Sequence, residues 1–265
     1  MVTSNLYENS DARHITDSLG IFSVLEYERD ISVTPESAEL AFFASQMEVR
    51  KRQLIARINP DKGVITQSGA MQLMLGDVKP KTDISGAGDL MKKLIGSTVT
   101  GESAVKPKYT GEGTLVLEPT FRYIILEDLS DWTTDMVVED GMFLACEDTV
   151  SLHISARTTA SSAVFGHEGL FNTAFSGIGV VALESPVPKK ELIEVSLEDD
   201  VVKIDGSMAI AWSKDLKFTV ERTTPTLVGS VAAGEGLVNV YRGTGKILIA
   251  PVRTNWGISS PSNKK

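Results

Sequence analysis

Two short blocks recur along the chain, and this recurrence constrains the fold more than any single residue does. The first block reads "SGAMQLML" from Ser68, "DGMFLACE" from Asp140 and "DGSMAIAW" from Asp205. Its glycines, Gly69, Gly141 and Gly206, lie 72 and then 65 residues apart. The second block opens on Glu-Gly: "GEGTLVLEPTFRYIILE" from Gly111, "HEGLFNTAFSGIGVVALESP" from His167 and "GEGLVNVYRGTGKILIAP" from Gly234, with aligned glycines Gly113, Gly169 and Gly236. The later two copies carry a Gly-x-Gly, Gly177/Gly179 and Gly243/Gly245, where the first has Pro119 and Phe121. Units repeated in tandem cannot bury their apolar faces alone and must stack on one another. The expected fold is all-β: three tandem β-sandwich or barrel-like repeats around a pseudo-threefold axis, with minor short helices. The expected division is an N-terminal extension (1–40), repeat 1 with an insert (41–128), repeat 2 (129–195), repeat 3 (196–256) and a flexible tail (257–265). The blocks of the first unit stand farther apart than those of the others, and the insert holds "DISGAGDLMKKLIG", with a short helix expected at residues 89–95.

The glycines invite comparison with phosphate-binding loops, and the spacing rejects it. A P-loop ending at Gly245-Lys246 needs glycine at position 240 and a hydroxyl residue at 247, and the chain has Val240 and Ile247. A dinucleotide fingerprint from Gly234 needs glycine at 239 and meets Asn239. Two β-rich runs around "RGTG" instead predict a hairpin turned by glycines.

Local patterns fill in the units. "MFLAC" and "MAIAW" are apolar at successive positions, as in strands covered on both faces. "TVSLHISAR" alternates, with Val150, Leu152 and Ile154 on one side, so one of its faces is wet. Residues 20–33 read as one or two strands, and Asn59 to Gly63 as a turn. Thr34 followed by Pro35 predicts a helix start, threonine at the N-cap and proline at the first helical position.

Chemistry-bearing residues are sparse. The histidines are His14, His153 and His167, and only the last two, with Glu168, could meet across a hairpin to hold a metal. Acid pairs such as Glu127-Asp128 and Glu147-Asp148, and the triplet Glu198-Asp199-Asp200, read as solvated strand-end turns. The single cysteine, Cys146, lies in an apolar run, where a thiol is buried and inert. A serine-nucleophile elbow is absent. No cofactor is expected and no catalytic set is assigned. One cysteine fits a reducing compartment, no apolar run approaches the roughly 20 residues of a membrane span, and the expected location is cytoplasmic.

A net charge of −9 opposes a broad phosphate-binding surface. The nucleic-acid candidates are therefore local: Arg50, Lys51 and Arg52, with the two "VKPK" segments at residues 78–81 and 105–108. In a strand Arg50 and Arg52 share one face and Lys51 takes the other. No aromatic residues interleave with them as a stacking platform.

"SGAMQLMLGDV", "DGMFLACEDTVSL" and the closing "GEGLVNVYRGTGKILIAP" together resemble the family named for altered inheritance of mitochondria, over roughly residues 41–252. The resemblance implies three tandem double-stranded β-helix-like repeats, a tendency to form ring-like or oligomeric arrangements, and a tryptophan RNA-binding attenuator-like (TRAP-like) fold. It brings no catalytic motif. The expected function is a non-enzymatic β-repeat binding or scaffolding protein that self-associates and has room for a further protein partner. An RNA- or small-ligand-binding regulator is the alternative, and a metal-dependent enzyme a second one.

Overall fold

The computed structural model describes residues 2–81, 106–156, 171–206, 208–222 and 237–252. The strands are β1 (Arg13–Leu19), β2 (Phe22–Tyr27), β3 (Arg52–Ile58), β4 (Val64–Thr66), β5 (Met71–Lys81), β6 (Lys108–Leu117), β7 (Tyr123–Asp128) and β8 (Met136–Val138). They continue with β9 (Phe143–Glu147), β10 (Val150–Ala156), β11 (Phe171–Gly177), β12 (Val180–Ser185), β13 (Ile193–Asp205), β14 (Ala209–Ser213), β15 (Lys217–Arg222) and β16 (Leu237–Ile249). One α-helix, α1 (Ala38–Gln46), joins β2 to β3. The strands form two antiparallel sheets. One runs β1-β2-β3-β6-β4-β9-β12-β7 with β5 also on β6, and the other runs β10-β11-β8-β14-β16-β13 with β15 also on β16.

One pairing pattern occurs three times. Met74, Cys146 and Trp212 face Leu115, Val181 and Ile247, and Leu73, Ala145 and Ala211 face Val116, Ala182 and Leu248. The register then slips at the same place each time, leaving Gln72, Leu144 and Ile210 as the extra residue of a bulge. The facing strands β6, β12 and β16 are in step at 66-residue intervals (115 to 181, 181 to 247).

Two joints connect these groups, again in equivalent register. At the first, β4 lies against β9, with Val64, Ile65 and Thr66 opposite Glu147, Cys146 and Ala145. At the second, β8 lies against β14, with Met136, Val137 and Val138 opposite Ser213, Trp212 and Ala211. This explains the continuous apolar blocks. In β9, Leu144 and Ala145 enter one core with Leu54, Leu115 and Leu126, while Phe143 and Cys146 enter a second with Met136, Phe175 and Val181. In β14, Ile210 and Ala211 share that second core, while Ala209 and Trp212 join Phe218 and Tyr241 in a third. Both strands are wholly buried. β5 carries the same block and, among the described residues, pairs only with β6; there Leu73 is 41% exposed.

Several sequence expectations change. "RGTG" is a bend inside β16, not a hairpin: residues 238–243 and 245–249 pair with successive parts of the same strand, β13. Gly177 and Gly179 likewise separate β11 from β12, which do not pair with each other. Glycine inside a strand marks a bend or a close backbone approach as readily as a turn. The first copy has this bend too, at Gly111 and Gly113 within β6, where φ is +117° and +156° against +98° and +147° at Gly177 and Gly179 and +124° and +159° at Gly243 and Gly245. Gly111, Gly177 and Gly243 are evenly spaced at 66 residues. Aligning Gly113 with Gly169 therefore displaced the first copy, and Pro119 and Phe121 lie beyond its bend.

Gly69, Gly141 and Gly206 precede β5, β9 and β14 with φ between +63° and +78°, as turn residues do. Gly169, Gly236, the helix expected at 89–95 and the tail 257–265 lie outside the described residues. The helix starts later than expected, with Ser37 rather than Thr34 at the N-cap position and no side-chain cap bond. β1 comes from the polar N-terminal stretch and, with β2, extends the first sheet beyond β3. At the expected turn, Asn59 Oδ1 accepts from the backbone N–H groups of Asp61 and Lys62.

Candidate functional site

Antiparallel pairing of β2 with β3 sets Glu26 directly opposite Arg52. Arg52 is buried, its Nε 2.6 Å from Glu26 Oε2, and its other donors reach the carbonyls of Arg50 and Glu48. Its guanidinium lies 3.9 Å from the ring centroid of Tyr123. Arg50 NH1 binds Glu26 at 3.0 Å and Glu28 at 2.9 Å, while Lys51 Nζ turns to Asp30 at 2.6 Å. Arg50 and Arg52 thus share a carboxylate and Lys51 points elsewhere, although β3 begins only at Arg52. The lysine ammonium holds the Asp30 carboxyl well below its usual range, at about 2. His14 adds a contact to Glu28 at 2.7 Å. The three basic residues are consequently matched by acids of their own chain, which leaves little field to draw a phosphate.

Of the other basic candidates, Lys79, Lys106 and Lys108 are engaged. Lys79 pairs with Asp77, Lys108 pairs with Asp148 at 2.9 Å, and Lys106 lies 4.4 Å from the ring centroid of Phe143. His153 shares a 2.8 Å hydrogen bond with Ser176. His167 and Glu168, its expected companions in a metal site, lie outside the described residues. Among the described residues, no three His, Cys, Asp or Glu side chains converge as a metal site.

Two clefts remain. One, of about 580 Å³, adjoins the basic cluster and is lined by Arg13, Tyr27, Arg29, Lys51, Gln53 and Gln72 among others. The second, of about 570 Å³, lies over the Gly177–Gly179 bend and includes Lys62, Asp128, Glu147 and Thr149. Glu147 forms its floor. Its carboxylate accepts from the backbone N–H groups of Ile21 at 3.1 Å and Val180 at 3.3 Å, and from Lys62 Nζ at 3.1 Å. Glu127 is buried too, accepting from Trp132 Nε1 at 3.3 Å and pairing with Lys189 at 2.9 Å. These two acids correct the expectation of solvated strand-end turns; Glu198, Asp199 and Asp200 are exposed, yet they lie within β13 at its register shift and not at a strand end. Nothing in the residues around Glu147 announces its role, because its partners come from β2, β12 and the turn before β4.

The sequence pattern of the mitochondrial biogenesis AIM24 family matches residues 46–252, most of the chain. The chain belongs to this family. An uncharacterized protein of Streptococcus pyogenes serotype M6 is 28% identical over 193 residues, covering 70% of this chain and 75% of that protein. A crystal structure of a Streptococcus pyogenes protein, 25% identical, aligns with a TM-score of 0.56 over 77% of this chain and 89% of its own. For the AIM24 chain these likenesses carry family and fold and bring no reaction. Among its described residues no helix is long and apolar enough to cross a membrane. Cys146 is fully buried, and desolvation pushes its thiol far above the ordinary range, so it offers no nucleophile at neutral pH.

Proposed function

We propose that the protein is a non-enzymatic β-repeat module, three repeats about a pseudo-threefold axis, that binds or scaffolds by self-association in the cytoplasm. The observation that carries this reading is a pair of open strand edges. Among the described residues β5 pairs only with β6, and β13 only with β16, whereas the corresponding edges of β9 and β14 are covered by β4 and β8. An apolar edge with unpaired backbone groups is a template for another strand. The test is light scattering at 0.1 M and 1 M salt. An oligomer that persists at high salt is expected, because apolar burial and backbone pairing are not screened. A monomer at every concentration up to the millimolar range would remove self-association.

The alternative, a small-ligand-binding regulator of TRAP-like fold, is favoured by the cleft at Arg13, Arg29 and Lys51, whose volume of about 580 Å³ suits a small molecule. RNA is the weaker version of this alternative, because Arg50, Lys51 and Arg52 already have carboxylate partners. Titration with single-stranded RNA near physiological salt is expected to show no binding. A complex that weakens steeply with salt would put the regulator first.

A further inference from the structure

The two joints inside the chain specify what the two open edges fit. In the first, Val64, Ile65 and Thr66 lie against Glu147, Cys146 and Ala145, and in the second, Met136, Val137 and Val138 lie against Ser213, Trp212 and Ala211. Their partners in the central strands fix the equivalences. Val64, Met136 and Val202 face Tyr109, Phe175 and Tyr241, aromatic residues spaced evenly at 66. Residues 202–204 of β13 therefore stand where 64–66 and 136–138 stand. By the bulge register, residues 73–75 of β5 stand where 145–147 and 211–213 stand. Each of these open edges is one half of a joint the chain makes twice with itself.

Resting on the self-association proposed above, we infer that β13 of one copy pairs antiparallel with β5 of the next, with Val202 opposite Leu75, Lys203 opposite Met74 and Ile204 opposite Leu73. The occupant of each edge is thus a second copy of this chain. The contact is heterologous, joining unlike surfaces, so copies add head to tail into a ring or an open chain and do not form a two-fold dimer. Apolar character matches on one face of it, with Leu75 meeting Val202 and Leu73 meeting Ile204, while on the other face Met74 lies against Lys203. The internal joints also carry ion pairs, Lys62 with Glu147 and Lys214 with Asp135. At the corresponding places the new joint has Asp200 with Leu75, and Gly76 with Val201. Lacking those ion pairs, it rests on backbone pairing and apolar contact, in keeping with an assembly that salt does not disperse.

The experiment uses full-length Lys203→Cys and Met74→Cys proteins, purified separately, mixed and oxidised. Directly opposed residues bring their Cβ atoms to about 5 Å, close enough for a disulfide after small adjustment. Cys146, being buried, stays silent. A covalent dimer from the mixture, scarce with either protein alone, and a ladder from the double variant are expected. Leu73→Glu places a charge in the joint and is expected to raise the concentration for half-assembly by roughly tenfold or more with unchanged circular dichroism. A double variant that crosslinks only within one chain would overturn the inference, the edges then closing on themselves. An oligomer that forms without the 74–203 crosslink and ignores Leu73→Glu would overturn it while leaving self-association standing. A monomeric wild-type protein would end both.

Discussion

At the scale of residues, the energetics concentrate where a buried charge serves several elements at once. Glu147 is 2% exposed at its side chain and holds two backbone N–H groups and Lys62. Glu147→Ala strips those donors of their acceptor in a place water reaches poorly. It is expected to cost about 3 kcal/mol, against about 1–2 kcal/mol for Glu147→Gln, which keeps one acceptor. Urea unfolding of the two variants checks this ranking, and equal costs would mean that the acceptor kept in Glu147→Gln contributes nothing. The same site shows why the acid went unread: Glu147 and Asp148 are neighbours in sequence, yet one is buried and the other half-buried. Only the arrival of β2 and β12 separates them.

At the scale of elements, glycine pairs bend β6 and β16 and separate β11 from β12. Their glycines are not equally demanding. A Cβ on Gly111, at φ +117°, would run into the carbonyl oxygen of Asp77 on β5, whereas a Cβ on Gly243, at φ +124°, would meet nothing nearer than 3.7 Å. Gly111→Ala is therefore expected to cost at least about 3 kcal/mol and Gly243→Ala only the backbone strain of about 1–2 kcal/mol. Thermal or urea midpoints decide the order, and the reverse order would show that β5 yields easily. The element scale also explains the mistaken hairpin. Two β-rich runs around Gly-x-Gly look the same whether the chain reverses or only bends, and the choice is made by whether β13 is long enough to pair with both runs.

At the scale of the whole molecule, stability should fall in acid through surface ion pairs. Hydrogen bonding to Lys51 holds Asp30 at about 2, and hydrogen bonding to Arg242 holds Glu221 at about 2. Both folded values lie below the ordinary values of 3.8 and 4.5. Their contribution is thus complete above about pH 4.5 and is lost as pH falls toward 2. Because both pairs are partly open to water, each is worth only about 0.5 kcal/mol. The urea midpoint should drop between pH 6 and pH 3, and Glu221→Gln should make that drop smaller. A drop unchanged in Glu221→Gln would assign it to the other acids.

The sequence by itself determined a mostly β protein and strands buried on both faces at "MFLAC" and "MAIAW". These follow from periodicities of two and from recurring blocks, which every strand of this kind must display. It also contained the even spacing of Gly111, Gly177 and Gly243, visible once the bends are known to be bends. The tertiary structure alone decided which acids neutralise the basic residues, why Glu147 is buried, and why "MQLML" is exposed when its counterparts are not. Each of these depends on which strand lies alongside. A strand's own residues set the faces it presents, but its edge is covered or left open by a partner that comes from elsewhere in the chain.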